Sequence, residues 1–132
     1  MARATPKPPP KPTLIGANIT FHTNDDDKNS DTLVSVSVQS STATVAAQIE
    51  DNFQHFADHS DAGPYDLLLV TPLTRDQLKT GNMTIGIKPN GNDTWRFNFF
   101  LDLRFSDGSH LFARASRLQL TETYRGQSFG IE

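Results

Sequence analysis

The sequence contains no cysteine, which excludes several classes of protein. Without thiols the chain cannot be a disulfide scaffold, a cysteine-ligated zinc finger, an iron–sulfur protein or a cysteine-dependent enzyme. It also lacks any apolar run near the roughly 20 residues that span a bilayer, and no apolar segment follows its basic start. We therefore expect neither a transmembrane segment nor a signal peptide within this chain.

Glutamate is scarce, since the acidic residues are 12 Asp and only 3 Glu. Helices favour Glu, whereas Asp favours turns, caps and oxygen-rich metal sites, so the composition argues against a helical protein. The first twelve residues contribute +3 through Arg3, Lys7 and Lys11, so the total of −3 leaves −6 on residues 13–132. This acidic body argues against nucleic acid as a partner, because phosphate neutralisation requires clustered Lys and Arg.

Five of the eight prolines fall within residues 1–12. Such a segment is typical of an extended polyproline-type chain, and we interpret residues 1–12 as a flexible Pro-rich tether. It is a spacer to another domain, a ligand for a proline-binding module, or a disordered terminus or expression remnant. Residues 13–132 have a length that suits a single domain.

Alternating hydrophobicity recurs along this domain. In Trp95–Phe105 six large apolar residues occupy every second position, which no helix face can do. Further strands are predicted over Leu14–Thr23, Thr32–Ser40, Ala43–Ile49, Tyr65–Val70, Asn82–Lys88 and His110–Thr121, with an edge strand or loose tail over Glu122–Glu132. One short helix is predicted over Leu73–Thr80, because Thr74 and Gln77 form a capping box and Gly81 can end it.

Seven to eight short strands separated by turns predict an all-β protein. We expect an antiparallel β-sandwich of Greek-key or C2-like type with at most one short helix. In a sandwich of full-length antiparallel strands, successive connections alternate between the two ends. The connections Asn24–Asp31, Asp51–Pro64 and Lys88–Asp93 should therefore share one end, and they hold 8 of the 12 Asp residues.

Carboxylates gathered in this way repel one another unless a cation neutralises them, and calcium takes six to eight oxygen ligands. The first connection has Asp or Asn at alternate positions from 25 to 31, like the opening of a calcium loop, although its sixth and twelfth positions do not fit an EF-hand. We predict Ca²⁺ bound by Asp25, Asp26, Asp27, Asn29 and Asp31, with Asn92 and Asp93, together with Asn90, supplying the second part. The alternative is a solubilising acidic loop that binds nothing.

The segment Thr23–Thr32, followed by its alternating Val strand, resembles the first loop and strand of PLAT-type and C2-like sandwich domains. The stretch Asn92–Trp95 with its aromatic strand fits the same plan. The resemblance implies a calcium-supported sandwich that docks onto membranes, lipids or proteins beside a catalytic or secreted partner. On that analogy Asp25, Asp27 and Asp31 are first-loop ligands and Asp93 is a second-loop ligand.

We therefore expect a monomeric, non-catalytic accessory module whose partner is a protein, lipid or glycan surface. Its expected location is extracellular or at the cell surface, as part of a larger protein. Membrane docking conflicts with the absence of apolar tips and a basic patch in the acidic loops, where Phe53 and Phe56 are the only bulky apolar residues.

Two other functions have less support in the sequence. His55 and His59 could share a helix face and hold zinc or copper, but the default is that they are polar loop residues. No nucleophile elbow or Walker-type loop is present, so we expect no catalysis.

Carbohydrate binding is the main alternative, because sandwiches can present aromatic platforms to sugars. Trp95 belongs to the buried stripe of its strand and is expected in the core. Tyr65, Tyr124 and Phe100 remain as candidates, and Phe100 lies on the otherwise polar face of its strand.

Overall fold

The alternating segments form two antiparallel sheets whose inner faces share one hydrophobic core. The structure is a computed structural model that describes residues 11–91 and 93–132. Its elements are β1 (Leu14–Asp26), β2 (Leu33–Gln39), β3 (Val45–Asp51), β4 (Asp61–Asp66), β5 (Leu68–Leu69), α1 (Arg75–Lys79), β6 (Asn82–Lys88), β7 (Thr94–Phe105), β8 (His110–Thr121) and β9 (Gly126–Gly130). The predicted all-β antiparallel sandwich with at most one short helix is confirmed.

The first sheet has the strand order β4-β1-β7-β8 and the second has the order β5-β3-β2-β6-β9. Every neighbouring pair is antiparallel. The described residues thus contain nine strands, one more than the upper number predicted, and the two-residue β5 accounts for the difference.

Strand β7 lies at the centre of the first sheet and behaves as its sequence pattern predicts. Every second residue from Trp95 to Phe105 is buried, and the intervening positions face outward. The Trp95 indole stacks on the Phe97 ring with centroids 3.6 Å apart. Its Nε1–H donates to Thr23 Oγ1 over 3.1 Å, which satisfies the one polar atom of a fully buried side chain. Trp95 is therefore a core residue.

The predicted strand Tyr65–Val70 is instead two strands in different sheets. β4 ends at Asp66 beside β1, and β5 begins at Leu68 beside β3. Leu67 between them is buried, and its N–H donates to the carbonyl of Ala17 over 2.9 Å. The chain changes sheets at this residue, and the apolar run Leu67–Val70 contains no glycine or proline that would reveal it.

The first residues of β4 and of β3 also differ from the predicted strand boundaries. Asp61 to Pro64, predicted as part of a connection, belong to β4. Ala43 lies in a turn with a φ of 65°, and β3 begins at Val45. The pairing with β2 slips by one residue near Val38, so Ala46 and Ala47 are both buried. A β-bulge of this kind breaks the simple alternation on which the prediction was based.

The short helix is confirmed but is limited to Arg75–Lys79. Its capping box forms as expected: the Gln77 N–H donates to Thr74 Oγ1 over 3.2 Å, and the Thr74 N–H donates to Gln77 Oε1 over 2.9 Å. Leu78 is the residue that the helix buries in the core.

The tail supplies an edge strand. β9 pairs with β6, and beyond it Glu132 and Phe112 exchange two backbone hydrogen bonds of 2.7 and 2.8 Å. The end of the chain thus joins the edge of β8 and links the two sheets.

Most of the predicted tether, residues 1–12, lies outside the described residues, which begin at Lys11. The Pro12 carbonyl accepts a hydrogen bond of 2.9 Å from the Arg75 N–H. Among the described residues no helix is long and apolar enough to cross a membrane.

Candidate functional site

The three acidic connections lie together at one end of the sandwich, as the alternation of strand directions predicts. Loop 27–32 follows β1, loop 52–60 follows β3 and loop 89–93 follows β6. Lys28 and Phe56 form a backbone bridge between the first two loops. The Asn29 N–H donates to Asp93 Oδ2 over 3.1 Å, which joins the first loop to the third. We call these three loops, with the strand ends that carry Asp25, Asp26, Asp51 and Asp61, the acidic end.

Lys28 is the centre of this arrangement, and its side chain is fully buried. Its ammonium donates to the carbonyl oxygens of Asn29, Thr32 and Asn52 over 2.8, 3.2 and 2.7 Å. The Nζ atom also lies 4.8 Å from the centroid of the Phe56 ring, within the range of a cation–π contact. One side chain therefore ties two loops together through every donor that it has.

Two opposing effects act on the pKa of the Lys28 side chain. Burial lowers its pKa from 10.5 to about 8, and the carboxylates of Asp93, Asp31 and Asp51 act in the opposite direction. An amine with a pKa near 8 is mostly protonated at neutral pH, so Lys28 acts there as an ammonium.

Asp93 fastens the third loop to the first and is only 8% exposed. Its Oδ2 accepts hydrogen bonds from the Thr32 hydroxyl over 2.5 Å and from the Asn29 N–H over 3.1 Å. Thr32 is fully buried, so its hydroxyl requires a partner inside the protein. Asp93 thus provides a charged acceptor at the point where the two loops meet.

The other predicted calcium ligands point to separate partners. Asp25 Oδ2 lies 3.4 Å from Arg96 Nη1, and Asp27 Oδ2 lies 2.6 Å from His55 Nε2. Asp31 accepts from the Asn90 amide over 3.3 Å. Asn29 takes part through its backbone, and Asn92 lies outside the described residues.

Among residues 11–91 and 93–132 no side chain forms a hydrogen bond or salt bridge with Asp26, and its pKa is raised. Partial burial is the main cause; Arg96 lowers the pKa, whereas the carboxylates of Asp27, Asp93 and Asp58 raise it further. The ionised form of Asp26 is therefore destabilised by its surroundings, whereas Asp25 and Asp27 are each paired with a basic side chain.

The fit to a metal ion follows from these contacts. Among residues 11–91 and 93–132, no group of three or more His, Cys, Asp or Glu side chains is placed to hold one ion together. The described residues therefore offer calcium no preformed group of three carboxylates, and Asp25, Asp27 and Asp31 each contact a different partner. Calcium binding stays a prediction.

The histidine pair does not have the geometry that a shared metal requires. Loop 52–60 contains no helix, so His55 and His59 do not share a helix face. His55 pairs with Asp27, whereas His59 has a φ of 57° and donates its backbone N–H to the Asn24 carbonyl over 2.9 Å.

Two features of functional interest were not predicted from the sequence. Lys28 is the first feature, because lysine is ordinarily exposed and no local signal in the surrounding Asp run marks this one as buried. Phe112 is the second feature, because it stands on the outward face of β8 beside Phe100, with ring centroids 5.3 Å apart. Its position between buried Leu111 and Ala113 could have indicated this.

Comparison of the sequence with protein-family models and with curated proteins gives no match. The resemblance to PLAT and C2 domains therefore depends on the loop and strand pattern of residues 23–32 and 92–95 alone.

Proposed function

We propose that this chain is a non-catalytic accessory module that docks onto a basic protein surface through its acidic end. The observation that supports the proposal is that the three loops are held in place while some of their carboxylates are exposed to solvent. Lys28 and Asp93 hold the three loops together, while the side chains of Asp25 and Asp61 are 64% and 80% exposed. A preorganised charged surface loses little conformational entropy when it binds, which favours recognition.

A protein partner fits this surface better than a membrane does. The large apolar side chains exposed among the described residues all lie outside the three loops: Ile15, Leu68, Leu69, Val70, Phe100, Phe112 and Tyr124. Phe56 is buried, and Phe53 packs on Phe21 with centroids 5.9 Å apart. The loops thus lack the apolar tips and the basic charge with which peripheral proteins bind anionic lipid.

The proposal is tested with a lysine-rich peptide as the probe, in a fluorescence anisotropy titration at two salt concentrations. The test variant is Asp25→Asn with Asp58→Asn, and the matched control is Asp66→Asn with Asp76→Asn, which changes the net charge equally elsewhere. We expect salt-sensitive binding that the test variant weakens severalfold and the control preserves. Equal weakening by both variants, or capture of the wild-type chain by phosphatidylserine vesicles, would contradict docking through the acidic end.

A second candidate, carbohydrate binding, is favoured by an exposed aromatic pair on the outer face of the first sheet. Phe100 and Phe112 are 41% and 39% exposed, and the His110 ring stacks parallel to Phe112 at 5.9 Å. They line a groove of about 480 Å³ together with Arg114 and Glu132, whose polar groups could bond sugar hydroxyls. Of the other aromatic candidates, Tyr65 is half-buried in the aromatic core and Tyr124 is exposed alone.

A glycan panel tests this second candidate. We expect any captured glycan to be lost when Phe100 and Phe112 are both replaced by alanine, and to be retained when the exposed Tyr124 is replaced by alanine. Retention in the double variant would exclude the aromatic pair as the platform.

A further inference from the structure

The acidic end contains a cation of its own. Lys28 and Asp93 are the two charged residues that are buried among the described residues. A fully buried lysine is rare unless its charge is paired and its donors are satisfied. Here the ammonium lies between the first and second loops and near the Asp93 carboxylate of the third, at the end of the sandwich where the sequence predicts calcium.

The atoms around the ammonium are of the kind that a calcium ion would take. They are the three backbone carbonyl oxygens of Asn29, Thr32 and Asn52, at 2.7–3.2 Å from Nζ. Backbone carbonyls and carboxylates are usual calcium ligands, and each carbonyl here accepts a hydrogen bond from the ammonium instead. The carboxylates of Asp93, Asp31 and Asp51 lie close enough to act on the same charge.

The contacts of Lys28 also hold the backbone in place. Its N–H donates to the Phe56 carbonyl over 3.1 Å, and the Phe56 N–H returns a hydrogen bond of 3.0 Å. The Asn29 N–H and the Thr32 hydroxyl then reach Asp93 in the third loop. A chain of direct contacts thus runs from the ammonium to all three loops.

We propose that the Lys28 ammonium takes the place of a metal ion between the three loops, so that the acidic end is ordered without metal. This inference goes beyond the proposed docking function and does not depend on it. It also leads us to expect the opposite of the calcium prediction: because the site is already filled by a covalently attached cation, calcium should stabilise the chain little.

The first test uses the unmodified chain. Thermal unfolding is compared in EDTA and in millimolar calcium chloride, with magnesium chloride as the control for ionic strength. We expect the same melting temperature in all three buffers. A rise in calcium alone would overturn the proposal.

The second test exchanges the built-in cation for a free one. Lys28→Met keeps the apolar stem and removes the ammonium, and the exposed Lys88→Met is the matched control. We expect Lys28→Met to melt at a lower temperature and calcium to restore part of the loss, while Lys88→Met behaves like the wild type. A Lys28→Met variant that melts with the wild type, or one that calcium does not stabilise, would overturn the equivalence of the two cations. If Lys28→Met does not fold, the melting temperatures of the wild-type chain in the three buffers still test whether the acidic end is ordered without metal.

Discussion

Replacing Asp93 with alanine would separate a structural carboxylate from a metal ligand. The variant removes the acceptor of two hydrogen bonds, from the Thr32 hydroxyl and from the Asn29 N–H. It also removes a carboxylate that favours the charged form of Lys28. If Asp93 fastens the loops, the loss appears without any metal; if its role is to bind calcium, the loss appears only when calcium is present.

The expected magnitude follows from burial. A hydrogen bond to a charged group contributes about 1.5–3 kcal/mol when it is well buried and less where water can replace it. The hydrogen bond from the fully buried Thr32 hydroxyl should contribute near the upper end of this range, and the one from the partly buried Asn29 N–H should contribute less. We therefore expect Asp93→Ala to lower the free energy of unfolding by about 3 kcal/mol, or the melting temperature by about 10 °C for a domain of this size.

The assay is urea unfolding in EDTA, followed by the fluorescence of Trp95, the only tryptophan. Asp93→Asn keeps an oxygen for Thr32 and should lose about half as much. Asp58→Ala removes an exposed carboxylate from the same end and should change stability by less than about 0.5 kcal/mol. An Asp93→Ala variant as stable as Asp58→Ala in EDTA would refute the structural role.

Three further predictions follow from single contacts. Burial raises the pKa of Asp26 above 3.8, so ionisation of this carboxyl lowers the stability of the fold as the pH rises through that range. Asp26→Asn should therefore raise the free energy of unfolding at neutral pH by less than about 1 kcal/mol, and the gain should vanish in acid. Gly81→Ala would place a Cβ atom 2.1 Å from the Gln39 carbonyl oxygen, so the melting temperature should fall by an amount equivalent to about 1–3 kcal/mol. Trp95→Phe removes the hydrogen bond to Thr23 and leaves a cavity, which should lower the free energy of unfolding by about 2–3 kcal/mol; because the variant has no tryptophan, its urea unfolding is followed by circular dichroism.

For each of these predictions there is an outcome that would contradict it. A gain for Asp26→Asn that persists in acid would argue against a titration effect. Gly130→Ala meets no atom within 4 Å and should be tolerated; equal tolerance at Gly81 would show that the two segments can separate. A Trp95→Phe variant of wild-type stability would show that the hydrogen bond to Thr23 and the volume of the indole contribute nothing to stability.

The fold could be predicted largely because its strongest signals are local. The period of two from Trp95 to Phe105 requires a strand with one buried face, and the structure has that face in the core. Alternating strand directions also place the three Asp-rich connections at one end. The sequence did not indicate the change of sheet at Leu67, because it depends on pairing with β1, which is distant in sequence. It did not indicate the bulge beside Val38 either, because that depends on the register of β2 and β3 across their turn.

The site could be predicted only as a location. That carboxylates converge follows from strand directions, but the partner of each carboxylate depends on loop packing. Lysine is ordinarily exposed, so nothing local marks Lys28 as buried; its burial depends on carbonyls at Asn29, Thr32 and Asn52 that turn inward together. The Phe100–Phe112 pair likewise forms only once β7 and β8 are in register.

The most direct measurement of how the acidic end is ordered is a high-resolution crystal structure of the full chain from crystals grown with calcium. We expect Lys28 Nζ to lie within hydrogen-bond distance of the Asn29, Thr32 and Asn52 carbonyls, with no calcium ion between the loops. A calcium ion bound by Asp25, Asp27, Asp31 or Asp93, with the Lys28 side chain turned into solvent, would contradict it.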